Sequence, residues 1–267
     1  MEAAPPQQVL LGCPWGLGAP FRYCRCPSGR RDVAVNQDLK KVLAAVGRFL
    51  AYGLLAAFPV LVLRQDILVL GNAVAENSLV EACQLVLLAM SVLAFGLLAW
   101  WRADDRRFAV LAAVFFVSML IRENDALFDG LLFHGAWKYL VAPLAIGSLC
   151  WAVRDVDALL AGLARFVGSH AGTIMLLGLA VLLGFSRLFG MTEIWTAVLG
   201  DGYVRTAKNA IEETGELLGY TFILAASLRY LARRVKAQVR ERRGLGRAAP
   251  SAALSAPNAR SGHSRAG

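Results

Sequence analysis

The sequence predicts an all-α fold, a polytopic membrane helical bundle with about six transmembrane helices. Of its 267 residues, 57% are hydrophobic and only 18% are charged, whereas soluble domains average roughly 25% charged. The apolar residues form several long runs, which excludes a soluble domain with one membrane anchor. Long continuous runs also favour helices, because barrel strands would appear as short segments of alternating polarity.

Six segments approach the roughly 20 apolar residues that a helix needs to cross the lipid core. They are 42–63, 80–101, 107–128, 134–153, 166–186 and 207–229. The third and sixth are the most polar, because their uncharged parts extend only over 108–121 and 217–228, and Lys138 interrupts the fourth. The predicted domains are therefore a disordered tail at 1–41, a transmembrane domain at 42–231 and a basic tail at 232–267, disordered at its end.

The distribution of cations predicts the orientation. With Arg48 near the start of the first span included, Lys and Arg number 22 in the two tails and the two loops on the side of the termini, against 6 on the other side. Cytoplasmic loops are enriched in these residues, so both termini are predicted to be cytoplasmic. Abundant Ala, Gly, Leu, Val and Arg are typical of a GC-rich bacterial genome, which indicates the bacterial cytoplasmic (inner) membrane.

The expected partner is the lipid bilayer itself. Segment 229–243 continues the sixth helix out of the membrane, and its cations are expected to contact anionic lipid head groups. The basic pI of about 9.7 is thus attributed to topology, and no specific nucleic acid is predicted as a partner. The sequence does not indicate a protein partner.

Acidic residues recur at similar depth on the side opposite the termini. At 1.5 Å per residue from Arg229, Glu216 lies about 20 Å across a core of about 30 Å. A charge at that depth has to face the bundle interior or a wet cavity. Helical spacing aligns such residues on three helices, and the predicted polar pocket consists of Glu81, Arg122, Glu123, Asp125, Lys138, Glu213 and Glu216.

Within this pocket, Glu213 and Glu216 are expected to turn inward. Their expected partners are Arg122, Lys138, Gln84, Asn77 and Asn209, and Glu212 is expected to be more exposed. Gly215 and Gly219, spaced as G-x-x-x-G, would let a neighbouring backbone approach this helix closely.

Three functions remain open for the acids. They could form a pocket that opens to the extracytoplasmic side and binds a cation or a polar solute. Alternatively, they could form an ion-pair network that only fixes helix packing. A divalent cation is a possible cofactor, with candidate ligands Glu81, Glu123, Asp125, His134, Glu213 and Glu216. No catalytic residue is predicted, and whether the protein is an enzyme stays open.

Segment 187–205 is too polar to span the membrane and too apolar for an ordinary loop. Its composition allows a re-entrant helix but favours a short connecting helix in the head-group region, anchored by Trp195 and Tyr203.

Three short motifs carry a family resemblance, ENSLVE at 76–81, REND at 122–125 and EETGELLG at 212–219. This pattern resembles that of uncharacterised bacterial multi-pass inner-membrane proteins with E-[DN]-x-x-x-E, R-E-x-D and E-E-x-x-E-x-x-G elements, over roughly residues 60–230. A more distant resemblance, to alkaline-ceramidase-like membrane hydrolases, implies a metal-dependent membrane hydrolase as a further alternative. The chain departs from those hydrolases because it has no set of membrane His ligands.

Overall fold

A computed structural model of the chain describes residues 28–71 and 78–253. Every regular element in these ranges is helical, and they contain no strand. The α-helices are α1 (Ser28–Leu68), α2 (Leu79–Trp101), α3 (Arg106–Glu123), α4 (Asp125–Leu131), α5 (Ala136–Ala152), α6 (Val156–Val167), α7 (His170–Ala180), α8 (Ser186–Phe189), α9 (Thr192–Leu199) and α10 (Arg205–Ala253). The all-α prediction is therefore confirmed for the described residues.

The chain divides into two units, residues 1–50 and residues 51–267. In the first unit the structure describes the first part of α1, where Lys41 Nζ lies 2.8 Å from Asp38 Oδ1. Helix α1 begins at Ser28, so the tail predicted to be disordered over 1–41 is helical from that residue onward. Apart from the beginning of the apolar stretch Gln37–Leu68, every feature described below lies in the second unit.

Four helical stretches are long and apolar enough to cross a membrane. They are Gln37–Leu68, Leu79–Trp101, Ala136–Val167 and His170–Phe189. Between 11% and 39% of each apolar window is buried inside the structure, so most of this surface is exposed. Water-soluble proteins rarely expose apolar patches of that size, and a lipid environment would cover them. These features are consistent with an integral membrane protein.

The other two predicted spans, 107–128 and 207–229, are not among these stretches. Helix α3 carries charged residues at both ends, and α10 has several acids in its first turns, which lowers the hydropathy of both helices. The third predicted span is also interrupted, since α3 ends at Glu123 and α4 begins at Asp125.

One connection differs from the sequence prediction, and another agrees with it. The predicted cytoplasmic loop at 154–170 is largely helical, because α6 occupies Val156–Val167 and the Asp155 side chain accepts a hydrogen bond from the Ala158 amide at its start. In segment 187–205 the structure has the short connecting helix α9, and Trp195 Nε1 donates to the Phe189 carbonyl oxygen at 2.7 Å. The basic extension of α10 is helical as far as Ala253, which includes part of the tail end predicted to be disordered.

The core of the second unit is an aromatic cluster between α2, α3, α6 and α10. Phe95, Phe108, Phe166 and Tyr230 have neighbouring ring centroids 4.8–5.9 Å apart, several of them edge to face. Aromatic pairs at these distances stabilise a core beyond the area that they bury. Tyr230 thereby packs α10 against the rings of α3 and α6, and Phe95 of α2 packs against the same two rings.

Candidate functional site

Five glutamates from three helices form what we term the carboxylate cluster. Their helices are α2, α3 and α10, and the residues are Glu81, Glu123, Glu212, Glu213 and Glu216. Glu213 and Glu216 each lie close enough to Glu123 and Glu212 to interact electrostatically, and Glu213 also interacts with Glu81. The acids that the sequence placed at one level are thus neighbours in space.

Glu213 bonds to a neutral partner across the α2–α10 interface. The Gln84 amide Nε2 donates to Glu213 Oε2 at 2.9 Å and to the Glu213 carbonyl oxygen at 3.2 Å. Gln84 is 2% exposed, so this contact is shielded from solvent. The expected contact between Gln84 and an inward-facing acid of α10 is therefore present.

The side chain of Glu216 is 5% exposed, which makes it the most buried of the carboxylates that form an ion pair within this cluster. Its partner is Arg187, whose Nη2 lies 2.9 Å from Glu216 Oε1. Arg187 was not among the partners predicted from the sequence, which gave Arg122 and Lys138 as the available cations. A charged carboxylate at this depth requires such a partner, because an isolated charge is strongly disfavoured in a low-dielectric interior.

A π-helical turn precedes Arg187. Residues Val181–Phe185 form this turn between α7 and α8, and the Ser186 hydroxyl donates to the Leu182 carbonyl oxygen at 2.6 Å. A π turn inserts one residue into the helical repeat and so changes which face the following side chains occupy. A sequence pattern with a period of 3.6 residues does not reveal this rotation of the side chains around the helix axis.

Glu212 lies in the same ion-pair network. Its carboxylate contacts Arg187 Nη1 at 3.3 Å and Lys208 Nζ at 2.9 Å, and its side chain is 18% exposed. The sequence predicted Glu212 to be more exposed, and its side chain is indeed more exposed than that of Glu216, yet it is also paired. Arg187 therefore bridges two carboxylates on successive turns of α10.

Two glycines of α10 allow this close packing. A Cβ added at Gly219 would lie 2.7 Å from the Leu182 Cβ and 3.0 Å from its backbone, and one at Gly215 would lie 3.2 Å from the Ser186 Cβ. Real Cβ atoms essentially never approach other atoms as closely as 2.7 Å, so only glycine fits at 219 without movement. The expected close approach at the G-x-x-x-G pair is confirmed, and the approaching segment is the π turn.

Glu123 is the member of the carboxylate cluster that α3 contributes. The Tyr220 hydroxyl of α10 donates to Glu123 Oε1 at 2.9 Å, and Arg122 Nη1 lies 3.3 Å from the same oxygen. Tyr220 is 1% exposed, so its hydroxyl has little access to water and this hydrogen bond satisfies it. Arg122 itself is exposed.

The remaining predicted pocket and metal-ligand residues are exposed. Asp125 is exposed at the start of α4, and Lys138 is exposed, with Nζ 5.7 Å from the Trp137 ring centroid. His134 Nδ1 pairs with Asp129 Oδ2 at 2.7 Å, five residues away, and its side chain is 98% exposed. The sequence grouped Asp125, Lys138 and His134 with the cluster because it could count depth but not direction. Asn77, another expected partner, lies outside the described residues.

The described residues also contain no group of three or more His, Cys, Asp or Glu side chains arranged to hold a metal ion. The candidate ligand set of Glu81, Glu123, Asp125, His134, Glu213 and Glu216 is therefore not assembled as a coordination site.

Asp129 accepts two local hydrogen bonds. The Gly135 amide donates to Oδ1 at 2.8 Å, and His134 binds Oδ2. These contacts, first the backbone amide and then His134, lower the pKa of Asp129 below its ordinary value, since they stabilise the charged form. Gly135 has a positive φ of 80°, a conformation that glycine adopts readily, so it can place this amide.

A second charged group lies at the other end of α2, and the sequence analysis missed it. Asp105 is 0% exposed, and its carboxylate accepts from Arg165 Nε at 3.1 Å and Nη2 at 3.0 Å and from Arg234 Nε. Arg102 pairs with Asp104 and with Glu241. The opposite charges in RADDRR at 102–107 could have indicated this group, but not its partners on α6 and α10.

Asp104 is the more exposed acid of this second group, with a side chain 53% exposed. Partial burial by itself would raise its pKa, but the hydrogen bonds from its own backbone amide and from Arg102, with the charges of Arg102 and Arg234, lower it overall. We term Arg102, Asp104, Asp105, Arg165, Arg234 and Glu241 the arginine–aspartate cluster.

Comparison of the chain with protein-family models, curated proteins and solved structures finds no match.

Proposed function

We propose that the protein is a six-span protein of the bacterial inner membrane whose carboxylate cluster binds a cation or a polar solute on the extracytoplasmic side. One observation carries the proposal. Apart from Glu81, the cluster contains four carboxylates, those of Glu123, Glu212, Glu213 and Glu216. Only three cations, Arg122, Arg187 and Lys208, form ion pairs with these four. The side chain of Glu213 accepts its hydrogen bond from the neutral Gln84 amide, so these carboxylates outnumber the cations paired with them by one.

An excess carboxylate in a helix interface attracts a positive species. In a low-dielectric environment, the carboxylates around Glu213 strongly favour either a proton on one of them or a bound cation. Ionisable groups within a membrane bundle commonly serve ion or substrate binding. The same arrangement would suit a small solute with a cationic group, since Gln84 and Tyr220 add hydrogen-bonding groups beside the acids.

The test is a melting screen on the purified full-length protein in detergent. Wild type, Glu213→Gln and the control Glu193→Gln would be melted across Na⁺, K⁺, Mg²⁺, Ca²⁺ and choline at several pH values. Glu193 is an exposed acid on α9, outside the cluster. We expect a bound species to raise the melting temperature of the wild type and of Glu193→Gln but not of Glu213→Gln. If no solute shifts the wild type, the binding function is wrong.

A structural role is the second candidate, and a specific observation favours it. Arg187 bridges Glu212 and Glu216, so the cluster also ties α10 to the segment after α7. In that case Glu213→Gln would melt at a similar or higher temperature than the wild type and would respond to no solute. Replacing a buried charge by a neutral isostere often stabilises when the charge has no functional role.

The orientation has its own test. The 22 cations on the side of the termini, against 6 on the other, support cytoplasmic termini. Alkaline phosphatase fused after the C-terminus should be inactive, whereas fusion after Gly200, in the connection between α9 and α10, should be active. The opposite pair of results would invert the topology and place the carboxylate cluster on the cytoplasmic side.

A further inference from the structure

A cavity of about 640 Å³ lies between the first turn of α7 and the basic extension of α10. Four of its lining residues are cations on α10, Arg229, Arg233, Lys236 and Arg240, and His170 lines it from α7. The remaining lining residues are alanines of the two helices, whose small side chains leave the space between the cations open. We term this feature the basic cavity.

The four cations form one stripe on α10. Their spacings of four, three and four residues place them on a single helical face, about 16 Å from end to end. All four are exposed. None of them forms an ion pair with a carboxylate of the described residues, so their charge is uncompensated there.

The neighbouring face of the same helix is different. Arg234 is paired with Asp104 and Asp105, and Glu241 is paired with Arg102. Asp104, Asp105 and Glu241 are therefore paired within the arginine–aspartate cluster. The extension of α10 thus has one face neutralised within the protein and one face that presents four free cations to the basic cavity.

Helix α7 adds to the positive potential. It begins at His170, and the N-cap Ser169 side chain accepts from the Gly172 amide at 3.1 Å. The N-terminus of a helix carries a partial positive charge and favours anions. His170 is held in place by Tyr52, whose hydroxyl oxygen lies 2.7 Å from His170 Nε2.

The cavity lies at the level where a membrane boundary is expected. Tyr230, beside the first cation of the stripe, packs on Phe166 with ring centroids 4.9 Å apart, close to the arginine–aspartate cluster. At the same end of α2, Trp100 and Trp101 are 81% and 48% exposed, directly before Arg102. Tryptophan is enriched at membrane–water interfaces. A phospholipid head group would therefore lie at this level, whichever side of the membrane this end of the bundle faces.

We propose that the basic cavity is a binding site for the phosphate head group of an anionic phospholipid. The uncompensated stripe and the N-terminus of α7 would hold the phosphate oxygens, and the apolar surface next to the cavity would receive the acyl chains. A basic pocket between helices at the membrane boundary is the kind of site that retains acidic lipids. This inference depends on the proposed function only in that the chain is an integral membrane protein, and it does not involve the carboxylate cluster.

The test compares two double variants of the full-length protein in phosphatidylcholine nanodiscs with and without 20% phosphatidylglycerol. Arg233→Gln/Lys236→Gln removes two cations of the cavity. Arg205→Gln/Arg243→Gln removes two exposed cations of the same helix that do not line it. The measurements are the retained phosphatidylglycerol, by native mass spectrometry, and the shift in melting temperature that this lipid causes. We expect the first variant to bind on the order of tenfold more weakly and the second to match the wild type.

Two outcomes would overturn the proposal. Equal losses in both double variants would mean that lipid binding follows total charge and not the cavity. A melting shift with soluble pyrophosphate but none with phosphatidylglycerol would assign the site to a soluble anion. Because Glu213→Gln should retain phosphatidylglycerol like the wild type, failure of the carboxylate proposal and failure of the lipid proposal are separately observable.

Discussion

Arg187 Nη2 lies 2.9 Å from Glu216 Oε1 while Nη1 of the same guanidinium lies 3.3 Å from Glu212 Oε1. One arginine, placed after a π-helical turn, thus holds two acids on successive turns of α10. The bidentate fork of arginine suits such bridging, whereas lysine presents a single point charge. This relationship connects the backbone irregularity of the α7–α8 segment to the electrostatics of the carboxylate cluster.

Arg187→Gln should lower the stability of the folded protein. The change leaves the Glu216 carboxylate, which is 5% exposed, without its cation. We expect the free energy of unfolding to fall by about 2 kcal/mol. This is less than for a fully buried pair, because Arg187 is 42% exposed. Thermal melting in detergent measures the loss. The double variant Arg187→Gln/Glu216→Gln should recover part of it, and purely additive losses would contradict the pairing.

Gly219→Ala should also destabilise, by about 1–3 kcal/mol, because the added methyl would lie 2.7 Å from the Leu182 Cβ and 3.0 Å from its backbone. Gly96→Ala is the matched control, since a Cβ there meets nothing within 4 Å. In the interior of a helix that change is expected to be neutral or to stabilise by up to about 1 kcal/mol. Similar melting shifts in both variants would argue against close packing at Gly219.

Asp105→Asn tests the arginine–aspartate cluster. The change keeps the shape of the side chain but leaves Arg165 and Arg234 without their shared carboxylate, so we expect a loss of about 3 kcal/mol. The control Asp104→Asn should lose less than about 1 kcal/mol, because that side chain is 53% exposed. Equal effects of the two variants on the melting temperature would show that burial of Asp105 is unimportant.

Asp129 should contribute to the pH dependence of stability. Its pKa is lowered in the folded protein, chiefly by the Gly135 amide, so its contribution is present above the ordinary aspartate pKa near 4 and is lost as the pH falls through the lowered value. The melting temperature of Asp129→Asn should therefore fall less between pH 5 and pH 3 than that of the wild type. Asp125→Asn, which alters an exposed neighbour, should keep the wild-type profile.

Several features of the candidate site could be predicted from the sequence. The long apolar runs predicted helices. Charged side chains at helical spacing are disfavoured in lipid, so Glu213 and Glu216 were predicted to face inward, and in the structure Glu213 contacts Gln84 and Glu216 is buried. The pair of Gly215 and Gly219 indicated a close backbone approach, although not by which segment. Each of these predictions depends on the spacing of residues along one helix, which can be read directly from the sequence.

Other features depended on direction and phase. The depth predicted for Lys138 and His134 matched that of the acids, yet His134 pairs with Asp129, five residues away, and Lys138 is exposed. Depth along the membrane normal fixes one coordinate of a side chain, and the rotation of each helix about its axis, which packing determines, fixes the others.

The sequence alone determined the helical class, the apolar surfaces and the level of the acids, because hydrophobic runs and 3.6-residue spacing are local properties of the chain. Only the tertiary structure decided that Arg187 compensates Glu216, that Asp105 joins three helices, and that one face of the α10 extension keeps its positive charge. These results arise from contacts between residues up to 139 positions apart, and from a π turn and a glycine contact whose geometry follows from packing.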